Sequence, residues 1–206
     1  PFTKDDLTHA RLTDICESAF DFPLQIKELN KTDSILELFH GPTFAFKDFA
    51  ARFMARTMSY FLENKDNELT ILVATSGDTG SAVANGFFNV DGINVIILYP
   101  SNRVSAIQEK QLTTLGGNIT ALEIDGSFDD CQRMVKAAFQ DIDLRNHLSL
   151  SSANSINIAR LIPQSVYYSW AWKLCAENRP IIFSVPSGNF GNLLLRRMQM
   201  ILFHTF

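Results

Sequence analysis

Apolar residues along the chain fall into two rhythms: helical spacings of three and four, and short unbroken runs rich in β-branched residues. Between residues 46 and 62, Phe49, Phe53, Met54, Met58, Phe61 and Leu62 recur three and four apart, which predicts an amphipathic helix that starts at a lysine. Residues 3–19 predict another, with Thr3 as its cap, acidic residues in its first turn and Phe20-Asp21-Phe22-Pro23 as its end. Residues 24–38 read as short extended pieces broken by the polar Asn30-Lys31-Thr32-Asp33. The runs at 69–74, 94–99, 119–124 and 180–185 predict buried strands. Helices are expected over 82–88, over 103–115 (closed by Gly116-Gly117) and over 128–139 (with Ser127 or Asp125 near the cap). Residues 156–176 are helical apart from Pro163, which either kinks that helix or sits in its first turn.

Strands alternating with helices predict an α/β fold: open parallel sheets flanked by helices, joined by right-handed crossovers. In such sheets the loops leaving the carboxyl ends of the strands share one edge, and ligands bind there. A chain of 206 residues has room for a sizeable core, and 46% of it is hydrophobic, yet no run is long enough to cross a bilayer. Formal charge is −4, from 18 basic and 22 acidic residues without a basic cluster, so nothing electrostatic favours nucleic acid or an anionic membrane. Cys16, Cys131 and Cys175 are odd in number and far apart, as expected of thiols in a reducing compartment, with the cytoplasm as default. His9, His40, His147 and His204 lack metal-ligand spacing, so no metal is expected. Pro1-Phe2-Thr3-Lys4-Asp5-Asp6 is not a signal peptide, and a start without Met reads as a fragment or a trimmed product.

Candidate chemistry begins with Lys47, inside Leu38-Phe39-His40-Gly41-Pro42-Thr43-Phe44-Ala45-Phe46-Lys47-Asp48-Phe49. An amine among apolar neighbours loses solvation for its charged form and can attack an aldehyde. A surface lysine laid over an apolar patch would have the same sequence surroundings. Ser187-Gly188-Asn189-Phe190-Gly191-Asn192 follows a predicted strand, and its glycines let several N–H groups converge on a phosphate, although a plain tight turn needs glycines equally. Thr75-Ser76-Gly77-Asp78-Thr79-Gly80-Ser81 repeats the arrangement; its hydroxyls and N–H groups suit a carboxylate, or simply cap a helix. In Ser151-Ser152-Ala153-Asn154-Ser155-Ile156-Asn157-Ile158-Ala159-Arg160, the Arg160 fork joins capping side chains at a helix start and can meet an oxyanion, or lie on the surface.

ELFHGPTFAFKDF, ATSGDTGSAV, ILYPSNRVSAIQEKQLTTLGGNI, DGSFDDCQ, SANSINIARL and SVPSGNFGN, in this order, closely resemble the threonine synthase family in the version found in many bacteria and in fungi. The resemblance covers residues 35–192 and, more weakly, the N-terminal helix. It implies the tryptophan synthase β-like fold of type II pyridoxal phosphate enzymes, here incomplete. It divides the chain into an N-terminal segment (1–34), a cofactor-dependent core (35–192) and a divergent tail (193–206). Within the core, a small α/β subdomain is implied around 69–140, with return to the large domain from about 150. It implies pyridoxal 5'-phosphate as cofactor, carried by Lys47 as an internal aldimine, with Gly188, Asn189, Phe190, Gly191 and Asn192 around its phosphate and Asp78 by its ring. Ser76 and Thr79 would meet the substrate carboxylate, and Asn154, Ser155 and Arg160 the substrate phosphate. The implied reaction turns O-phospho-L-homoserine and water into L-threonine and phosphate, in a monomer or homodimer. A related serine or threonine dehydratase would need no second oxyanion site. An amino-acid phospholyase or a non-catalytic cofactor-binding remnant would also carry much of this pattern. Because residues 193–206 leave the family pattern and its later strands are absent, exposed apolar surface, low stability and little or no activity are expected of the isolated chain.

Overall fold

The computed structural model describes residues 6–63, 68–175, 180–186, 188, 190, 191, 193 and 194. In chain order its elements are α1 (His9–Ala19), β1 (Gln25–Glu28), β2 (Ser34–Glu37), α2 (Lys47–Leu62), β3 (Leu69–Ala74), α3 (Asp78–Phe87), β4 (Ile93–Pro100), α4 (Ala106–Thr113), β5 (Ile119–Ile124), α5 (Phe128–Gln140), α6 (Ile142–His147), β6 (Ser149–Ser152), α7 (Ile158–Leu161), a 3-10 turn (Ile162–Ser165) and α8 (Val166–Cys175). The strands β1 and β2 form an antiparallel hairpin around the polar stretch at 30–33. The main sheet has the order β5-β4-β3-β6 and is parallel throughout.

That order decides where a ligand fits. From β3 the chain winds one way to β4 and β5, then crosses back and adds β6 on the other side of β3. The crevice between the carboxyl ends of β3 and β6 is therefore a topological switch point, where the loops above adjacent strands diverge. The loops at 75–77 and 153–157 leave from it.

Alternation along the strands builds a layer on each face. Ile71 and Val73 of β3 and Ile93, Val95, Ile97 and Tyr99 of β4 pack with Ala51, Met54 and Ala55 of α2, Ala82, Val83 and Phe87 of α3 and Leu112 of α4. Leu72, Ala74 and Leu98 face the other way, onto Cys131 and Val135 of α5. Full burial of side chains such as Phe87 and Met54 stabilises the layer by about 1.5–3 kcal/mol each. Helices α2 and α3 approach so closely that a Cβ on Gly86 would lie 2.9 Å from the carbonyl carbon of Ala51. A third cluster gathers Phe49, Tyr167 and Tyr168 with Leu36, Leu38, Phe183 and Val185.

Several expectations are corrected. Helix α1 begins at His9, capped by Thr8, whose hydroxyl accepts from the Arg11 N–H; Thr3 lies outside the described residues. Helix α3 begins at Asp78, four residues before the expected start, because Thr75 caps it from outside: its Oγ1 accepts from the N–H groups of Gly77 and Gly80 at 3.0 and 2.8 Å. Helix α4 is shorter than expected, bounded by the Ser105 cap. Pro163 breaks the helix expected at 156–176 into α7, the 3-10 turn and α8, since its ring removes a donor and crowds the preceding turn. Residues 180–185 join no ladder among the described residues. Their burial nevertheless alternates, with Phe183 and Val185 inward and Ile182 93% exposed. Helix α6 and strand β6 were not foreseen. Ser149-Leu150-Ser151-Ser152 has one apolar side chain in four, and it becomes a strand by pairing with β3. Trp170, Trp172 and Leu174 of α8 are exposed.

Ser127 caps α5 as expected, in a reciprocal box: Asp130 Oδ2 accepts from the Ser127 N–H and hydroxyl, both at 2.7 Å. Those two bonds, with Arg133 beside them, lower the Asp130 carboxyl from 3.8 to about 2. A lowered acid contributes stability above its ordinary value and loses it as pH falls through its folded value. Thermal unfolding followed from pH 5 down to pH 2 should therefore show a loss of midpoint between 3.8 and about 2 that Asp130→Ala removes.

Candidate active site

Lys47 is the first residue of α2, and its place is set by the residue after it. Asp48 is fully buried. It accepts from the Thr43 N–H at 2.9 Å and the Thr43 hydroxyl at 2.5 Å, which ties the Gly41–Phe46 loop to the first turn of the helix. Gly41 leaves room for that carboxylate, since a Cβ there would strike it. Burial pushes the Asp48 carboxyl up, against the pull of the Thr43 and Ala45 bonds and the Arg52 charge. The Lys47 side chain is 16% exposed, runs over the Phe46 ring with Nζ 4.7 Å from its centroid, and donates to Asp78 Oδ2 at 3.0 Å.

Asp78 stands at the start of α3, directly after the 75–77 loop. Burial raises its carboxyl, but the hydrogen bond and charge of Lys47 and the bond from Gln108 outweigh that and hold it below the ordinary value. The Gln108 contact is Nε2 to Oδ1 at 2.6 Å. Ser76 is exposed and Thr79 half-buried on the same loop.

Above β6, Asn154 clamps the sheet edge: its Oδ1 accepts from the Ala74 N–H at 3.1 Å and its Nδ2 donates to the Ala74 carbonyl at 2.8 Å. The carboxamide thereby extends the β3–β6 ladder by one rung and holds the two switch-point loops together. Ser155 is exposed. Arg160, only 5% exposed, donates from Nη1 to the Ala153 carbonyl at 2.9 Å, while its Nε has no partner among the described residues. Burial lowers this guanidinium to about 10, so it remains charged at neutral pH without a carboxylate partner among the described residues.

The glycine-bearing turn is described in part: Asn189 and Asn192 lie outside the described residues, as does Ser187. Around Gly188 a Cβ would meet nothing within 4 Å, and Phe190 takes a left-handed φ of 56°. The Phe190 carbonyl accepts from the Leu194 N–H at 2.9 Å, so a helical turn begins at Gly191. The segment entering this turn is anchored by Val185, in the same cluster as Phe49, two residues beyond Lys47. A left-handed residue ahead of a helix start turns successive N–H groups to one side, which suits an anion.

Of the residues singled out in the sequence, the structure joins Lys47 to Asp78 and buries Arg160 against the Ala153 carbonyl; Thr43, Asp48, Thr75 and Gln108, which hold them in place, were not singled out as site residues. Thr75 stood inside a motif already singled out. Asp48 carried a signal too, an acidic residue in a helix first turn, whereas nothing local linked Gln108 to Asp78, 30 positions away.

An α/β domain with a lysine amine beside the switch-point loops, an open glycine turn and a buried guanidinium has the elements needed to hold an anionic aldehyde cofactor. Residues 35–194 match the pyridoxal-phosphate dependent enzyme family, and the chain belongs to it, with the tryptophan synthase β-like architecture. It is 50% identical over 190 residues to a threonine synthase of Haemophilus influenzae, a match covering 91% of this chain and 44% of that protein. Over 194 residues it is 48% identical to the threonine synthase of Escherichia coli K12, covering 93% of this chain and 45% of the relative. A pyridoxal phosphate-bound threonine synthase structure from Brucella melitensis superposes with a TM-score of 0.89 at 41% identity, across 97% of this chain and 45% of that one. The chain thus spans about 45% of the length of the curated relatives it matches.

The residues present fit the family's cofactor. A partly exposed amine faces one carboxylate, and the turn at 188–191 has open space over Gly188 and a left-handed Phe190 before a helix start. No described helix is long and apolar enough to cross a membrane.

Proposed function

We propose that this chain carries the lysine-bearing part of a threonine synthase, whose reaction converts O-phospho-L-homoserine and water into L-threonine and phosphate. Two observations carry this reading: the Lys47 amine bonded to Asp78, next to the 75–77 loop, and a separate buried guanidinium, Arg160, bonded to Ala153 at the 153–157 loop, whose Nε is unpartnered among the described residues. Pyridoxal phosphate, when bound, supplies an electron sink for negative charge at the substrate Cα. Lys47 holds the cofactor at rest and, once displaced by substrate, is the base that moves protons at Cα and Cβ. Arg160 faces the charge of the phosphate that leaves Cγ, while water adds at Cβ, with Ser155 alongside and Asn154 keeping the two loops together. Ser76 and Thr79 meet the substrate carboxylate, and Gly188, Phe190 and Gly191 offer backbone N–H groups to the cofactor phosphate, joined by Asn189 and Asn192. The free thiols Cys16, Cys131 and Cys175 support a cytoplasmic setting.

The test uses the 206-residue chain in excess over substrate, so that a slow single turnover is visible. With pyridoxal phosphate and O-phospho-L-homoserine, inorganic phosphate and L-threonine should appear in equal amounts. Ammonia released from threonine or serine, without phosphate release, would replace this reading with a dehydratase. Absence of any cofactor fixed on Lys47 would end it.

A further inference from the structure

Gln108, on α4, has both ends of its carboxamide committed. Its Oε1 accepts from the Ser105 backbone N–H at 3.2 Å and the Ser105 hydroxyl at 3.0 Å, completing the capping box of α4. A backbone N–H only donates and a carboxylate only accepts, so this orientation of the amide is forced, and Nε2 must be the atom turned to Asp78. It reaches Asp78 Oδ1 at 2.6 Å, while Asp78 Oδ2 takes the Lys47 amine at 3.0 Å. Gly77 makes the approach possible. At φ +141° it has no side chain, and a Cβ there would fall 2.5 Å from the terminal atoms of the Gln108 carboxamide.

We propose that Gln108 is a positioning residue for Lys47, acting through Asp78, so that the capped start of α4 sets the direction from which the amine meets its cofactor. This rests on the reading of Lys47 as the cofactor-bearing lysine. The Asp78 side chain is 51% exposed, and a single ion pair at such a site leaves a carboxylate free to change rotamer. A second donor, itself locked by the Ser105 cap, removes that freedom. Lys47 is then released from Asp78 into one approach path.

The proposal is tested by a double-mutant cycle of Gln108→Leu and Asp78→Ala with two readouts in the full chain. The first needs no cofactor: the rate at which an amine-reactive ester labels Lys47, followed by peptide mass spectrometry. Freed from a held carboxylate, Lys47 should label about fivefold faster in either single variant, and no faster in the double than in Asp78→Ala. The second is borohydride fixation of pyridoxal phosphate on Lys47, which should slow by about fivefold in Gln108→Leu and be no slower in the double variant than in Asp78→Ala. General loosening would shift both readouts the same way; misaligned positioning moves them in opposite directions. Gln108→Glu retains the acceptor oxygen of the capping box but turns a repelling carboxylate on Asp78 in place of the donor, so slower fixation there, with the cap kept, assigns the loss to the Asp78 contact. Labelling of Gln108→Leu that matches the parent, or effects of the two substitutions that multiply, would overturn the proposal. Labelling that couples as expected in a parent chain that fixes no cofactor would overturn the cofactor reading of Lys47 instead.

Discussion

Lys47→Ala is expected to abolish covalent capture of pyridoxal phosphate, leaving no borohydride-fixed cofactor on the chain, and to lower any turnover by about 10²–10⁴-fold, the usual worth of a positioned base. Alanine removes two things together, the nucleophilic nitrogen and the cation held by Asp78 at 3.0 Å. Lys47→Arg separates them. A guanidinium keeps the charge opposite Asp78 but stays protonated and cannot condense with an aldehyde. It should therefore preserve the folded chain and the low Asp78 carboxyl while capturing no cofactor. An Arg variant that still fixes cofactor at the parent rate would show that another lysine is the acceptor.

The second large effect concerns Arg160. Its guanidinium is buried, paired to one carbonyl, and leaves Nε without a partner among the described residues. A cation kept in that state is a cost to the fold, as its lowered value of about 10 records. Arg160→Leu should thus leave the thermal midpoint unchanged or raise it, because replacing a poorly compensated buried charge with an apolar side chain is often neutral or favourable. The same change should weaken binding of O-phospho-L-homoserine by about 100-fold, corresponding to roughly 3 kcal/mol of charge-assisted hydrogen bonding. Unfolding melts and calorimetric titration with the phosphorylated and unphosphorylated amino acids would measure both. A severe loss of stability with unchanged affinity would make Arg160 a structural residue. Stability held and affinity lost is the pattern of a side chain kept for a ligand.

How much of the fold was readable from the sequence can be judged from particular residues. The helix from Lys47 and the strands at 69–74 and 119–124 match the structure to the residue, because the helix has a long, unbroken period and the strands are compact runs rich in β-branched residues. Strand β6 was invisible for the opposite reason, since Ser149-Leu150-Ser151-Ser152 has no alternation of its own and is ordered by β3 beside it. The strand expected at 180–185 shows the converse. Its run is apolar, yet among the described residues it makes no ladder, and only Phe183 and Val185 pack inward while Ile182 is exposed.

From sequence alone came the class of fold, the amine at Lys47 and the polar loops around it, because apolar period and turn chemistry are local properties written within a few residues. Which loops share a crevice was decided by tertiary structure: the return of β6 to the far side of β3, and the Asn154 clamp on Ala74, bring together segments about 80 positions apart. So was the partnership of Lys47, Asp78 and Gln108. A hydrogen bond depends on ångström distances across the packed sheet edge, and no local spacing in a chain encodes those.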